Sequence, residues 1–111
     1  TLDVERMKEA ASYLIGTHDF TSFCGNKKMK KTAVRTIYEI NLTKKGNDLW
    51  IDYRGNGFLQ NMVRILTGTL IEVGDGRRAP EELQQILESK NRENAGYTAP
   101  ACGLMLMEVH Y

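Results

Sequence analysis

Arg64 stands in the middle of GNGFLQNMVRILTGTLIEVG, residues 55 to 74, an apolar stretch in a chain whose residues are 26% charged. In a helix, the side chains within its reach lie three and four positions away: Gln60, Asn61, Thr67 and Gly68. None is an acid, so the guanidinium must be met by solvent, a phosphate or a carboxylate brought in from elsewhere. A lone helical arginine is often an ordinary solvated side chain whose stem covers apolar surface. Its small and amide neighbours favour another use here. They leave a smooth groove that another segment can approach closely, where a guanidinium can hold a carboxylate through two parallel hydrogen bonds.

Lys27, Lys28, Lys30 and Lys31, with Arg35 beyond, suit a polyanion, because each can neutralise a phosphate and release a counterion. Such a cluster does not select a sequence, and a solvated charge run is the plain alternative. Net charge is only +1, yet these five cations together with Lys44, Lys45 and Arg54 face only Glu39, Asp48 and Asp52 across residues 25 to 54. The positive excess therefore sits in the middle third, between two thirds that are net acidic.

Four other readings lead nowhere further. Gly55-Asn56-Gly57 lies between a strand pattern and a helix pattern, the setting of a dinucleotide-binding loop, but Gln60 takes the place of the third glycine and no strand ending in an acid follows. Glycines that turn a strand into a helix are the better reading. The same stretch fails the RNA-recognition-motif consensus, since Asn56 stands where an aromatic is needed. Cys24 lies near the lysines, but a nucleophile needs an oriented base, and His18 has no third partner to orient it. Cys24 and Cys102 lack metal-ligand or C-x-x-C spacing, which indicates reduced, intracellular thiols, no metal and no redox motif.

The elements that must position these residues follow from periodicity. After Asp3, a good N-cap, Val4, Met7, Ala11 and Leu14 have the spacing of an amphipathic helix ending at Gly16. Residues 25 to 32 have no apolar period and read as a mobile basic loop. From Ala33 the pattern alternates, with Val34, Tyr38, Ile40 and Leu42 on one face; Lys45, Gly46 and Asn47 then turn the chain into Leu49, Ile51 and Tyr53, making a β-hairpin. The apolar helix carrying Arg64 runs to Val73 with Gly74 as its stop. A third helix starts at Pro80, buries Leu83, Ile86 and Leu87, and carries Lys90 and Arg92 at its end. Residues 104 to 111 alternate as a last strand.

The order is αββααβ: the ferredoxin-like βαββαβ order with an added helix and without its first strand. This predicts an α+β fold, an antiparallel sheet with helices on one face. A three-stranded sheet of this kind leaves an edge to be covered, so the chain is expected to begin partway through a larger protein. At 111 residues and 41% hydrophobic it has enough chain for one core. No run is long and apolar enough to span a membrane, and no leader pattern opens the chain.

Phe58-Leu59-Gln60-Asn61-Met62-Val63-Arg64, followed by Gly68, Leu70, Val73 and Gly74, resembles the signature of the bacterial tRNA pseudouridine synthase A family. Gly16-Thr17-His18-Asp19-Phe20-Thr21-Ser22-Phe23 and Ala95-Gly96-Tyr97-Thr98-Ala99-Pro100-Ala101-Cys102-Gly103-Leu104, through Val109 and Tyr111, match the same family in the same order. The resemblance covers residues 4 to 111. It implies a ferredoxin-like, RRM-like half of a pseudouridine synthase: the C-terminal domain, residues 1 to 111, of a longer enzyme. The family's catalytic aspartate lies in an Arg-Thr-Asp-Ala-Gly segment of the preceding half, and Asp3, Asp19, Asp48, Asp52 and Asp75 all have other neighbours.

On this resemblance Arg64 orients the absent aspartate, Phe58, Asn61, Gly103 and Leu104 support the pocket, and the lysine loop, Arg35, Arg77 and Arg78 are candidates for phosphate contacts. The implied activity is isomerisation of uridines in the anticodon stem-loop of tRNA, without a cofactor, by a cytoplasmic homodimer that is not membrane-bound. The isolated chain is expected to be inactive. Asn91 and Met105 depart from the family, which commonly has Asp and an aromatic there. Two other classes fit the residues: a self-sufficient RNA-binding module, and a dimerisation domain that uses the apolar helix and an open sheet edge.

Overall fold

The computed structural model describes residues 2–25, 32–46, 48–99 and 107–110. The first helix, α1 (Val4–Ser12), is capped as its sequence requires: the Asp3 carboxylate accepts from the Arg6 amide at 3.2 Å. Its apolar stripe of Met7, Ala10 and Ala11, continued by Leu14, is buried. A short strand follows, β1 (Gly16–Asp19), then a 3₁₀ turn over Thr21–Phe23. Gly-Thr-His-Asp holds no apolar residue to alternate, which is why the sequence pattern yields a helix stop here and no strand.

The expected hairpin forms from β2 (Val34–Lys45) and β3 (Asp48–Gly55), with Gly46 turning at φ +61°. Ile51 and Tyr53 face inward and are buried, as their alternation predicts. On β2 the face assignment is corrected. Ile37 and Leu42 are the buried residues, whereas Val34 is exposed and Tyr38 is 63% exposed. The register moves from Ile37↔Gly55 to Glu39↔Arg54, so Tyr38 is one residue too many and the alternation changes phase at that point.

The sheet order is β1-β2-β3-β4, where β4 is Met107–His110. The α+β class and the foreseen helices and strands stand, with two differences: β1 makes the sheet four-stranded, and β4 runs parallel to β3 while the other pairs are antiparallel. Parallel pairing requires a long crossover. Two helices supply it here, α2 (Met62–Gly74) and α3 (Glu82–Ser89).

The buried residues of all three helices join Ile37, Leu42, Ile51 and Tyr53 in one core. Leu83, Ile86 and Leu87 form the buried face of α3, as expected. Helix α2 is enclosed on most sides, with ten of its residues buried. Tyr53 reaches it from the sheet, its hydroxyl 2.7 Å from Thr67 Oγ1, and burial pushes the phenol well above its usual pKa. Met7 lies so close to Gly74 that a Cβ there would come within 2.7 Å of the sulfur. Arg92 is not part of α3. Lys90 ends the helix at φ +50°, and Arg92 begins a separate 3₁₀ turn, Arg92–Asn94.

Candidate active site

Helix α2 begins at Met62, so Gly55 and Gly57 do not sit at its N-terminus. Gly55 has a packing role: a Cβ there would lie 2.7 Å from the Thr36 carbonyl and 3.2 Å from the Phe58 ring. Asn56 ties the same corner, donating its amide to the Thr36 carbonyl and accepting from the Thr36 amide through Oδ1. The glycines thus turn a strand toward a helix, and Phe58 packs half-buried over the bend.

Asn61 precedes the helix in a left-handed conformation, φ +58° and ψ +8°, which asparagine tolerates better than most residues. Its side chain points to both flanks. Oδ1 accepts from Arg64 Nη1 at 3.4 Å, and a Cβ on Gly25 would lie 3.0 Å from Nδ2. Gly25 is held at this site by its amide, which donates to the Gln60 carbonyl.

Arg64 is half-buried on α2. Its Nε donates to the Ala99 carbonyl at 2.7 Å, and the Ala99 amide donates back to the Arg64 carbonyl at 3.1 Å. Among the described residues no carboxylate lies within ion-pair distance of it. The close approach expected beside it occurs at Gly68, where residues 96–99 of the same chain cross the helix. A Cβ on Gly68 would overlap the Tyr97 carbonyl oxygen. The Gly96 amide donates to Thr69 Oγ1 at 2.9 Å, and Arg92 secures the strap by donating to the Gly96 carbonyl and to Thr98 Oγ1. Thr67, by contrast, turns inward to Tyr53.

The other candidate phosphate ligands are placed differently. Arg77 pairs with Asp75 at 2.6 Å and Arg78 with Glu72 at 2.8 Å, so both expected phosphate ligands are engaged in internal ion pairs. Arg35 donates from Nη1 to the carbonyls of Thr32 and Val34 and lies beside Gly57. Lys27, Lys28, Lys30 and Lys31 fall outside the described residues, as do Gly103 and Leu104. His18 bonds the Ile15 carbonyl at 2.8 Å and stacks edge-on against Phe20, and Cys24 is buried. Among the described residues, no three or more His, Cys, Asp or Glu could hold a metal ion, and no helix is long and apolar enough to cross a membrane.

A family model described as tRNA pseudouridine synthase matches residues 10–111. The chain belongs to that family. Relatives named tRNA pseudouridine synthase A are 56% identical in Brevibacillus brevis, covering 99% of this chain and 45% of that protein. In Bacillus subtilis the identity is 52%, covering 99% of this chain and 44% of that protein. The chain thus spans under half the length of these tRNA pseudouridine synthases.

What sequence reasoning missed was the strap. Its signals were present, in Gly68 and Gly96 as small residues at a crossing and in Arg92 just past a helix. Periodicity does not register them, because the strap belongs to no regular element.

Proposed function

We propose that this chain is the C-terminal domain of a tRNA pseudouridine synthase and that Arg64 holds a catalytic aspartate supplied by the rest of that enzyme. The observation that carries the reading is the state of Arg64: a half-buried cation fixed by neutral oxygens, with no acid beside it among the described residues. A half-buried charge without a counter-charge is unfavourable, and an incoming carboxylate supplies one.

The reaction breaks the bond between C1′ and N1 of uridine, turns the base, and joins C5 to C1′. A proton leaves C5 and N1 gains one. A positioned carboxylate serves as nucleophile or base in these steps, and an arginine keeps it ionised and aimed. The target base must leave its stack to be reached. In this proposal Phe58, Asn61, Gly103 and Leu104 support the pocket. Lys27, Lys28, Lys30, Lys31 and Arg35 contact phosphates of the anticodon stem-loop. The resemblance adds a cytoplasmic homodimer that needs no cofactor.

The test is tritium release from C5-labelled uridine in unmodified tRNA. The full-length enzyme should release tritium, this chain alone should not, and Arg64→Ala in the full-length enzyme should slow release about 100- to 1000-fold with tRNA affinity nearly kept. Release by the chain alone, or an unimpaired Arg64→Ala variant, would overturn the proposal. Affinity that is insensitive to salt would remove the phosphate contacts.

A further inference from the structure

We infer that Gly68 is a positioning residue for Arg64: by having no side chain it admits the strap whose Ala99 carbonyl occupies Nε, so that the guanidinium can meet a carboxylate only end-on, through its two terminal nitrogens. The inference rests on the function proposed above for Arg64 and adds how that arginine is aimed.

An arginine offers two forks to a carboxylate, a side-on fork of Nε with one terminal nitrogen and an end-on fork of the two terminal nitrogens. The Ala99 oxygen, 2.7 Å from Nε, closes the first. Asn61 Oδ1, 3.4 Å from Nη1, is the second neutral acceptor at the group. Both restraints come from neutral acceptors, so the full positive charge remains for the incoming acid.

The Ala99 carbonyl is placed by backbone alone. The strap is anchored upstream by the bond from Gly96 to Thr69 and downstream by the Ala99 amide on the Arg64 carbonyl. Between these anchors it passes over Gly68, where the peptide of Tyr97 lies against the helix so closely that a methyl group would overlap its oxygen. Backbone cannot rotate aside as a side chain can, so a methyl at position 68 must lift the strap. Lifting it withdraws the carbonyl from Nε. The atoms nearest a methyl group at position 68 all belong to Tyr97, so its effect is transmitted through that peptide.

The test is Gly68→Ala in the full-length enzyme, alone and combined with Arg64→Lys, with kcat, KM for tRNA and tRNA affinity measured for each. Alanine is a better helix former than glycine, so α2 itself is favoured by the change. The expected result is a kcat about 10- to 100-fold lower, since a displacement near 1 Å of a positioning group has effects of that size, with KM and tRNA affinity within about twofold. In the Arg64→Lys background, which lacks the fork, Gly68→Ala should lower kcat by less than about twofold, because the two changes act on one interaction. If Gly68→Ala does not fold, Thr69→Val, which loosens the strap without adding bulk at the crossing, must show the same kcat loss at constant KM. Unchanged kcat in a folded Gly68→Ala enzyme, or equal losses in the two backgrounds, would overturn the inference while leaving the role of Arg64 standing. An active Arg64→Ala enzyme would instead remove the reading on which it rests.

Discussion

Arg64 and Arg92 donate to backbone carbonyls of the strap, at Ala99 and Gly96, whereas Arg54 on the outer face of the sheet meets the carboxylate of Glu39 at 3.5 Å with both side chains about half exposed. A carbonyl is placed by the fold, so a cation bonded to it inherits the precision of the backbone. An exposed carboxylate is mobile and hydrated, and its pairing is weak and screened by salt. The same residue type therefore serves as a fixed part in one region and as a solvated charge in the other.

The strap side should break hardest. Gly96→Ala would place a methyl against Glu72 Oε1 and within 2.8 Å of the Thr69 Cα. The helix backbone cannot yield, so a loss of about 2–3 kcal/mol is expected from urea unfolding; a change under about 0.5 kcal/mol would show that the strap is not packed as described. Arg92→Ala removes two hydrogen bonds of the same region and should cost about 1–2 kcal/mol, little affected by added salt.

An intermediate case is Asp19, whose carboxyl is held below the usual range chiefly by the Thr21 hydroxyl, and further by the Thr21 amide and the charge of Lys90. A depressed native pKa stabilises above the unfolded value of about 3.9, and the stabilisation fades as pH falls through the native value. Melting temperature should fall on acidification below about pH 4, and Asp19→Asn should flatten part of that decline. The smallest effect belongs to the outer face. Arg54→Ala should change stability by no more than about 0.5 kcal/mol, and high salt should erase the difference.

Where the chain repeats, its sequence was legible. Leu83, Ile86 and Leu87 on α3, and Ile51 with Tyr53 on β3, are buried as their spacing requires. Where one residue interrupts the repeat, legibility failed. Tyr38 adds a position to β2 and reverses the faces beyond it, and no residue type announces a bulge. β1 offers no apolar residue to mark a period, and the parallel direction of β4 depends on how two helices cross the sheet. At the candidate site, Arg64 was found through what its neighbours lacked. The Ala99 oxygen beside it could not be found, because a backbone acceptor leaves no trace in side-chain types.

The parallel ladder of β3 and β4 also bears on the order in which the molecule assembles. Asp48 to Gly55 can pair with β2 through a tight turn, and such hairpins close within microseconds. Pairing Ile51 with Met107 must instead gather all the intervening chain, with its larger loop entropy, before any contact repays it. Both helices and the strap lie inside that loop. The hairpin should therefore gain protection from hydrogen exchange early in refolding, and the β3–β4 ladder should be among the last features to mature.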